Sequence, residues 1–341
     1  MSIQQRKKDH VDLTVNKDVF YKKSAGFDRY DFTHNALSEI NPADVDLTAT
    51  LLGRQFSFPL FISSMTGGYT DAGAVNTIIA KCCQKYNLPF GVGSQRAMLE
   101  DPSQVNSFSV VREYAPDAFI AANIGGAQLI GGLKEKHIDL LVSSIQADAI
   151  IVHLNPLQEL MQPEGDHNFK GIEKGIENLI ATANLPVIVK ETGAGISKSV
   201  AKRLLEMGVK GIDVAGAGGT SWAKVENLRD RQIKPKHQFD DWGIPTVDCI
   251  LEIQKLQNNS EFDLIGSGGV RSAFDMVKCI ALGADFAASA QPIIKVIAEK
   301  GESGFDLFIE SWMKDARLIL TLLGCNSFID LSIEHLTEID R

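Results

Sequence analysis

Five stretches of this chain carry side chains and glycines suited to gripping an anionic small molecule. HLNPLQELMQPEGD (153 to 166) gathers His153, Asn155, Gln158, Glu159 and Glu164. Neutral donors beside one or two carboxylates suit a magnesium-bridged diphosphate, because Mg2+ keeps several waters and takes few protein carboxylates. Glu159 is the candidate ligand; the plainer alternative is a solvated loop carboxylate. GSGGVR (266 to 271) and ASAQP (288 to 292) have the glycines that let backbone N–H groups approach phosphate oxygens, with Arg271 to add charge. Lys190 stands inside the apolar run VIVK. A lysine there needs an anionic partner, or it loses its proton, unless its stem is buried and its head reaches solvent. It either stabilises negative charge on an electron-rich ring or forms a Schiff base with a carbonyl substrate. RKKDH (6 to 10) is the densest positive run in an acidic chain. It reads either as a solvated tail or as a clamp in which Arg6 and Lys7 fold over a site and hold a diphosphate.

These groups need a scaffold that brings distant segments together. From residue 59 onward, short runs rich in Val, Ile, Phe and Ala alternate with helix-period stretches, the pattern of repeated βα units. Eight runs are expected to be strands: 59 to 65, 89 to 93, 118 to 124, 149 to 155, 186 to 192, 211 to 216, 263 to 269 and 285 to 290. The fold class expected is α/β, a (β/α)8 TIM barrel with an N-terminal hairpin extension. The hairpin is VDLTATLLGRQFSFP, alternating around Gly53-Arg54 and closing one end of the barrel. ISKSVAKRLLEMG and SAFDMVKCIALG read as helices opened by Ser197 and Ser272 and ended by Gly208 and Gly283. In such barrels ligands bind where the strands end, and each run here ends in polar or glycine-rich residues. Loops after strands 7 and 8 commonly hold phosphate, and the helix start that follows GSGGVR adds positive potential. The whole chain, 1–341, is expected to form one domain: extension 1–58, barrel 59–324, tail 325–341. Residues 224 to 243 are charged and without a clear period, as either a lid or a disordered insertion. The last helix, FDLFIESWMKDARLILTLLG, is expected to pack on the barrel wall or on a partner subunit.

Bulk properties limit the choice of partners. A net charge of −9 over 341 residues disfavours general nucleic-acid binding, so any anion must be held by a local cluster. The charged start lacks the apolar run of a secretory leader, and no stretch approaches a membrane span, so a cytoplasmic location is expected. Five cysteines without C-x-x-C spacing read as reduced, buried thiols.

Taken together, RKKDH, SSMTGG, GVGSQRA, ANIG, HLNPLQE with QPEGD, VKETGAGIS, VAGAGGTSW, GSGGVRS and ASAQP resemble type 2 isopentenyl diphosphate isomerases across nearly the whole chain. GSGG and ASAQ recur across flavin barrels and bear only on the cofactor. The resemblance implies FMN lined by Met65, Thr66, Gly67, Ser94, Asn123, Lys190 and Thr220, with Gly268, Gly269, Arg271, Ala290 and Gln291 around its phosphate. It implies a diphosphate substrate held by Arg6, Lys7, Ser94, Gln95, Arg96, His153, Asn155 and Gln158, with Glu159 on Mg2+. Gln158 and Lys190 are the expected catalytic pair, NADPH the flavin reductant, and a homo-oligomer, tetramer or octamer, the expected assembly. Ala215 departs from the pattern, standing where some relatives have serine near the flavin. Two alternatives compete: an FMN-dependent 2-hydroxy-acid oxidase or dehydrogenase, and a flavin- or phosphate-binding protein without turnover. The first needs a late histidine base, and none lies between His237 and His335.

Overall fold

The computed structural model describes residues 3–69, 71–229 and 237–339. Eight parallel strands close a barrel: β1 (Leu60–Ile62), β2 (Phe90–Gly91), β3 (Ile120–Gly125), β4 (Ala149–Leu154), β5 (Val187–Glu191), β6 (Gly211–Asp213), β7 (Asp263–Ser267) and β8 (Phe286–Ser289). Each lies within, or one residue beyond, a run expected from sequence. The seam is β8 against β1, where Ser63 N donates to Ser289 O (3.0 Å). Helices between the strands form the outer ring. Ser197 and Ser272 cap two of them by accepting from Val200 N and Asp275 N, and Gly208 and Gly283 follow with φ of +98° and +107°.

Period-two alternation divides each strand between an outer and an inner face. Ile150, Val152, Val187 and Val189 point outward into the seam with the helices. Phe61, Ala121, Ile151, Ile188 and Ile265 point inward and fill the barrel. Two residues further along, the same inward face carries Ser63, Asn123, His153, Lys190 and Ser267. The interior is therefore apolar below and polar at the C-terminal rim. His153 is in register with Lys190, and Lys190 with Asp213.

The floor is sealed by the expected hairpin, Ala49–Leu51 paired with Arg54–Phe56. Its turn centres on Leu52 and Gly53, with φ of +49° and +75°, one residue before the expected Gly53-Arg54. Two positive φ values make the tight turn whose twist matches a hairpin. Leu51 and Phe56 are fully buried, and Phe56 meets the edges of Phe119 and Phe286.

Three helices matter at the rim. α1 (Ile3–Asn16) turns RKKDH from a tail into a helix across the barrel mouth. α2 (Trp222–Arg229) takes up the start of the charged 224–243 stretch, and residues 230–236 of that stretch lie outside the described residues. α3 (Gln291–Leu323) bends at Gly301 and buries Phe305, Ile309, Trp312 and Leu320 against the barrel wall. The tail is tied back as well, with Leu336–Glu338 pairing antiparallel to Tyr30–Phe32. All five cysteines are buried and unpaired. Among the described residues no helix is long and apolar enough to cross a membrane.

Candidate functional site

A cavity of about 300 Å³ opens at the C-terminal rim, and every residue expected to form the site lines it except Gln95. Ser94, Gln95 and Arg96 are consecutive, so a chain leaving a strand cannot aim all three inward. Gln95 turns outward and is fully buried, donating to Leu141 O (3.0 Å) and accepting from Asn123 N (2.9 Å). Its place is structural, in the seam behind β3.

One end of the cavity is built from backbone. Gly268 and Gly269 both have positive φ, +99° and +77°. A Cβ at Gly268 would lie 2.0 Å from Gly216 O, and one at Gly269 2.8 Å from the Ala25 methyl. Only glycine fits at either position. Thr246 Oγ1 donates to Gly268 O (2.6 Å) and pins the turn. Arg271 donates to Gly218 O (2.8 Å) and stacks over Phe20. The expected helix start after GSGGVR carries its own side-chain cap, since Ser272 accepts from Asp275 N, and the Asp275 carboxylate accepts from Arg271 N. The end left without a side-chain cap is that of α3, at Ala290 and Gln291. Positive potential at this end is therefore strengthened by the loop after β8.

The middle of the cavity holds buried polar groups on the upper inward layer. Asn123 Nδ2 donates to Val92 O (3.0 Å), so its Oδ1 is the acceptor facing His153 Nδ1 (2.7 Å). That bond places the proton of a neutral His153 on Nδ1 and leaves a lone pair on Nε2. Burial first, and then Lys190, Lys7 and Arg96, push the imidazole down to about 3, so it is neutral at any ordinary pH. Lys190 donates to Glu191 O (2.5 Å), and the Asp213 carboxyl stands in register with it, pushed up by burial against the opposing pull of Lys190. Ala215 lines the same region with φ +36°, a conformation that side chains with a Cβ rarely adopt.

The other end is cationic. Lys7 donates to Gly67 O (2.6 Å) and Ser94 O (2.7 Å), so it bridges the loops after β1 and β2. Burial, and then the charges of Arg6 and Arg96, lower it to about 7. Arg6 donates to Gln162 Oε1 (3.1 Å), and Arg96 pairs with Glu100 (2.7 Å) and Asp166 (3.0 Å). Glu159 is almost wholly buried, accepting from Asn155 Nδ2 (3.0 Å) and Asp166 N (2.7 Å). No group of three or more His, Cys, Asp or Glu able to hold a metal occurs among the described residues. The donor set suits an ion that keeps its waters and takes most ligands from a bound anion.

Some groups at the site were not anticipated. Glu226 on α2 is buried, accepts from Gln158 Nε2 (3.3 Å) and Arg229 (2.7 Å), and lies 2.8 Å from His10 Nε2. Burial works to raise its pKa, but His10 and Arg229 outweigh it and hold the carboxyl below its usual range. His10, Gln128 and Trp222 line the cavity, whereas Glu226 stands behind Gln158. The available signal was helical spacing: His10 follows Arg6 by four residues and so shares its face.

Comparison with known proteins agrees with this geometry. A family model described as FMN-dependent dehydrogenase matches residues 4–114 and 152–338. An isopentenyl-diphosphate delta-isomerase of Chlorobium limicola is 45% identical, covering 97% of this chain and 95% of that protein. One from Nostoc sp. is 43% identical, covering 99% and 96%. Among solved structures, flavocytochrome b2 with pyruvate bound superposes with a TM-score of 0.72 at 17% identity, covering 96% of this chain and 82% of that one. A mandelate oxidase does so at 0.68 and 18%, covering 98% and 96%. At such identities the structures establish the barrel alone, whereas the close relatives and the family model decide membership. The chain belongs to the isopentenyl-diphosphate delta-isomerase family, on the barrel of the FMN-dependent dehydrogenases.

Proposed function

We propose that this isomerase is of type 2, interconverting isopentenyl and dimethylallyl diphosphate with FMN at the glycine end of the cavity and Mg2+ at Glu159. The observation that carries the reading is one cavity with two anion-adapted ends of different design. A backbone cradle beside the uncapped start of α3 suits a singly held phosphate. Arg6, Lys7 and Arg96 beside a carboxylate suit a diphosphate carrying magnesium.

Moving the double bond adds a proton at one carbon and removes another nearby, with no net oxidation. Protonating an unactivated alkene creates a tertiary cation that water would trap. Reduced FMN, when bound, supplies an electron-rich ring with a protonatable nitrogen. The protein's part is to place the alkene and exclude solvent. Lys190 offers a cation at the layer where that ring would lie, and α1 roofs the mouth. Gln158 accepts from Asn155 through Oε1 and donates to Glu226 through Nε2, so both ends of its amide are fixed. It orients the reacting carbons or a water. NADPH serves only to reduce the flavin. We read residues 1–341 as one domain of a cytoplasmic homo-oligomer, a tetramer or octamer.

Oxidation of a 2-hydroxy acid is a poorer fit. It requires a histidine base active near neutral pH, and His153 is held far below that range. The deciding experiment follows NADPH absorbance and dimethylallyl diphosphate together in one sealed, anaerobic cuvette. Many product molecules should form for each NADPH consumed. One NADPH per product would show hydride transfer to substrate and overturn the proposal.

A further inference from the structure

The loop from Gln162 to Asp166 leaves no strand end, yet it touches both guanidinium groups at the cationic end. Gln162 accepts from Arg6 (3.1 Å). Asp166 Oδ2 accepts from Arg96 (3.0 Å) and from Gln128 Nε2 (3.0 Å), while Asp166 N donates to Glu159 Oε2 (2.7 Å). The loop is pressed onto the turn that carries Glu159: a Cβ at Gly165 would lie 2.0 Å from Glu159 O. One residue therefore joins, through different atoms, the group proposed to grip the diphosphate and the group proposed to hold its metal.

We propose that Asp166 is a positioning residue that sets the spacing between Arg96 and Glu159, and with it the geometry of a metal-bound diphosphate. The inference rests on the reading of those two residues given above. Without Asp166, Arg96 would keep only Glu100, its own helix neighbour, whose side chain is 47% exposed. That contact draws the guanidinium toward solvent, and Gln128 would lose a partner at the same time, while Glu159 keeps the backbone N–H of residue 166 and with it a fixed end of the spacing. The Arg96–Asp166 pair is itself partly exposed, with the carboxylate side chain at 42%, so it adds little to stability. Its removal is therefore a test of position rather than of folding.

A rival role has the opposite sign. A carboxylate beside a phosphate-binding arginine can act as a placeholder that the incoming anion must displace. Removing a placeholder tightens anion binding, whereas removing a positioning group weakens it. The two backbone and amide anchors that Asp166 makes beyond Arg96 favour positioning, since a placeholder needs neither.

The experiment compares FMN-loaded wild type, Asp166→Asn and Asp166→Ala by calorimetric titration with inorganic pyrophosphate at fixed Mg2+, and by isomerase kinetics with dithionite-reduced enzyme. Asp166→Ala should weaken pyrophosphate about 10-fold and raise KM to match, with kcat within about twofold, as for groups that orient ligands from behind. The bound-flavin spectrum should not change. Asp166→Asn, which keeps an oxygen for Arg96 and Gln128, should recover most of the loss, and it carries the test if the alanine variant does not fold. Equal or tighter pyrophosphate binding in both variants, or a fall in kcat at constant KM, would overturn the proposal. Failure of the wild type to bind pyrophosphate would instead remove the reading of the site on which it rests.

Discussion

The two ends of the barrel are made by the same strands and have opposite chemistry. At the floor, Leu51 and Phe56 of the hairpin plug an interior of Phe61, Phe119, Ile151 and Phe286 without a polar side chain among them. At the mouth, two residues further along each strand, the inward face carries His153, Lys190 and their neighbours under a helix loaded with cations. Both ends perturb the ionisable groups near them, in opposite senses. At the mouth burial, with the charges of Arg6 and Arg96 adding to it, lowers Lys7, whereas at the floor burial raises the acid Asp263 to about 6. The contrast shows how a single period-two pattern allocates stability to one end and binding to the other.

The sharpest way to break this comparison is to damage the floor and look for an effect at the mouth. Phe56→Ala removes a fully buried ring with edge contacts to Phe119 and Phe286. It should cost about 3–5 kcal/mol in denaturant unfolding, while folded protein still takes up FMN with unchanged affinity. Lost flavin binding in the folded variant would mean that the two ends are not separable.

A smaller effect is expected at the mouth. Lys7 sits at about 7 because it is buried beside Arg6 and Arg96. A bound polyanion would offset those charges and return it toward the usual lysine range. Free protein at pH 8 then has Lys7 mostly neutral, while the complex has it charged, so binding takes up a proton. Affinity for pyrophosphate should fall by up to about tenfold per pH unit above pH 7. Titrations at pH 8 in buffers of different ionisation enthalpy measure the uptake directly. Zero uptake would show that the Gly67 and Ser94 carbonyls keep Lys7 charged throughout.

The smallest effect returns to the floor. Asp263 accepts from Leu52 N (2.9 Å) in the hairpin turn, but burial, with Asp285 and Glu261 adding to it, raises its pKa. A carboxyl raised on folding contributes fully below its unfolded value near 3.8 and loses that contribution as pH rises through about 6. At pH 7.5 it is therefore a liability. Asp263→Asn keeps the acceptor for Leu52 and removes the charge, which should stabilise the fold by about 1 kcal/mol after allowance for partial exposure. The gain should shrink markedly at pH 4.5 and vanish only below about 3.8. Equal gains at both values would assign the effect to packing instead.

How far the sequence could be read follows the same division. Strands were legible because buried β runs are short, branched and ended by glycine, and eight of them allow few closed arrangements. The rim residues were legible because alternation carried each strand's register to its end. Gln95 misled for the same reason that Ser94 and Arg96 did not: three consecutive polar residues cannot share a face, and the motif alone does not say which turns away. Glu226 and His10 were hidden in charged stretches with weak periodicity, since a helix buried by its polar face lacks the apolar stripe that marks most helices. The free helix end after β8 was missed because capping depends on Asp275 reaching back to Ser272 and Arg271, a local choice that glycine spacing does not reveal.

The seam at Ser63 and Ser289 has a consequence for the order of events during synthesis. β1 emerges early and finds one of its two neighbours only when β8 has been made, more than two hundred residues later. Until then the nascent sheet has two open edges, and a cavity whose walls come from α1 at one extreme and the start of α3 at the other does not exist. The complete cavity thus forms only after the start of α3 has been made, and until then the open sheet edges are the exposed, aggregation-prone feature of the chain.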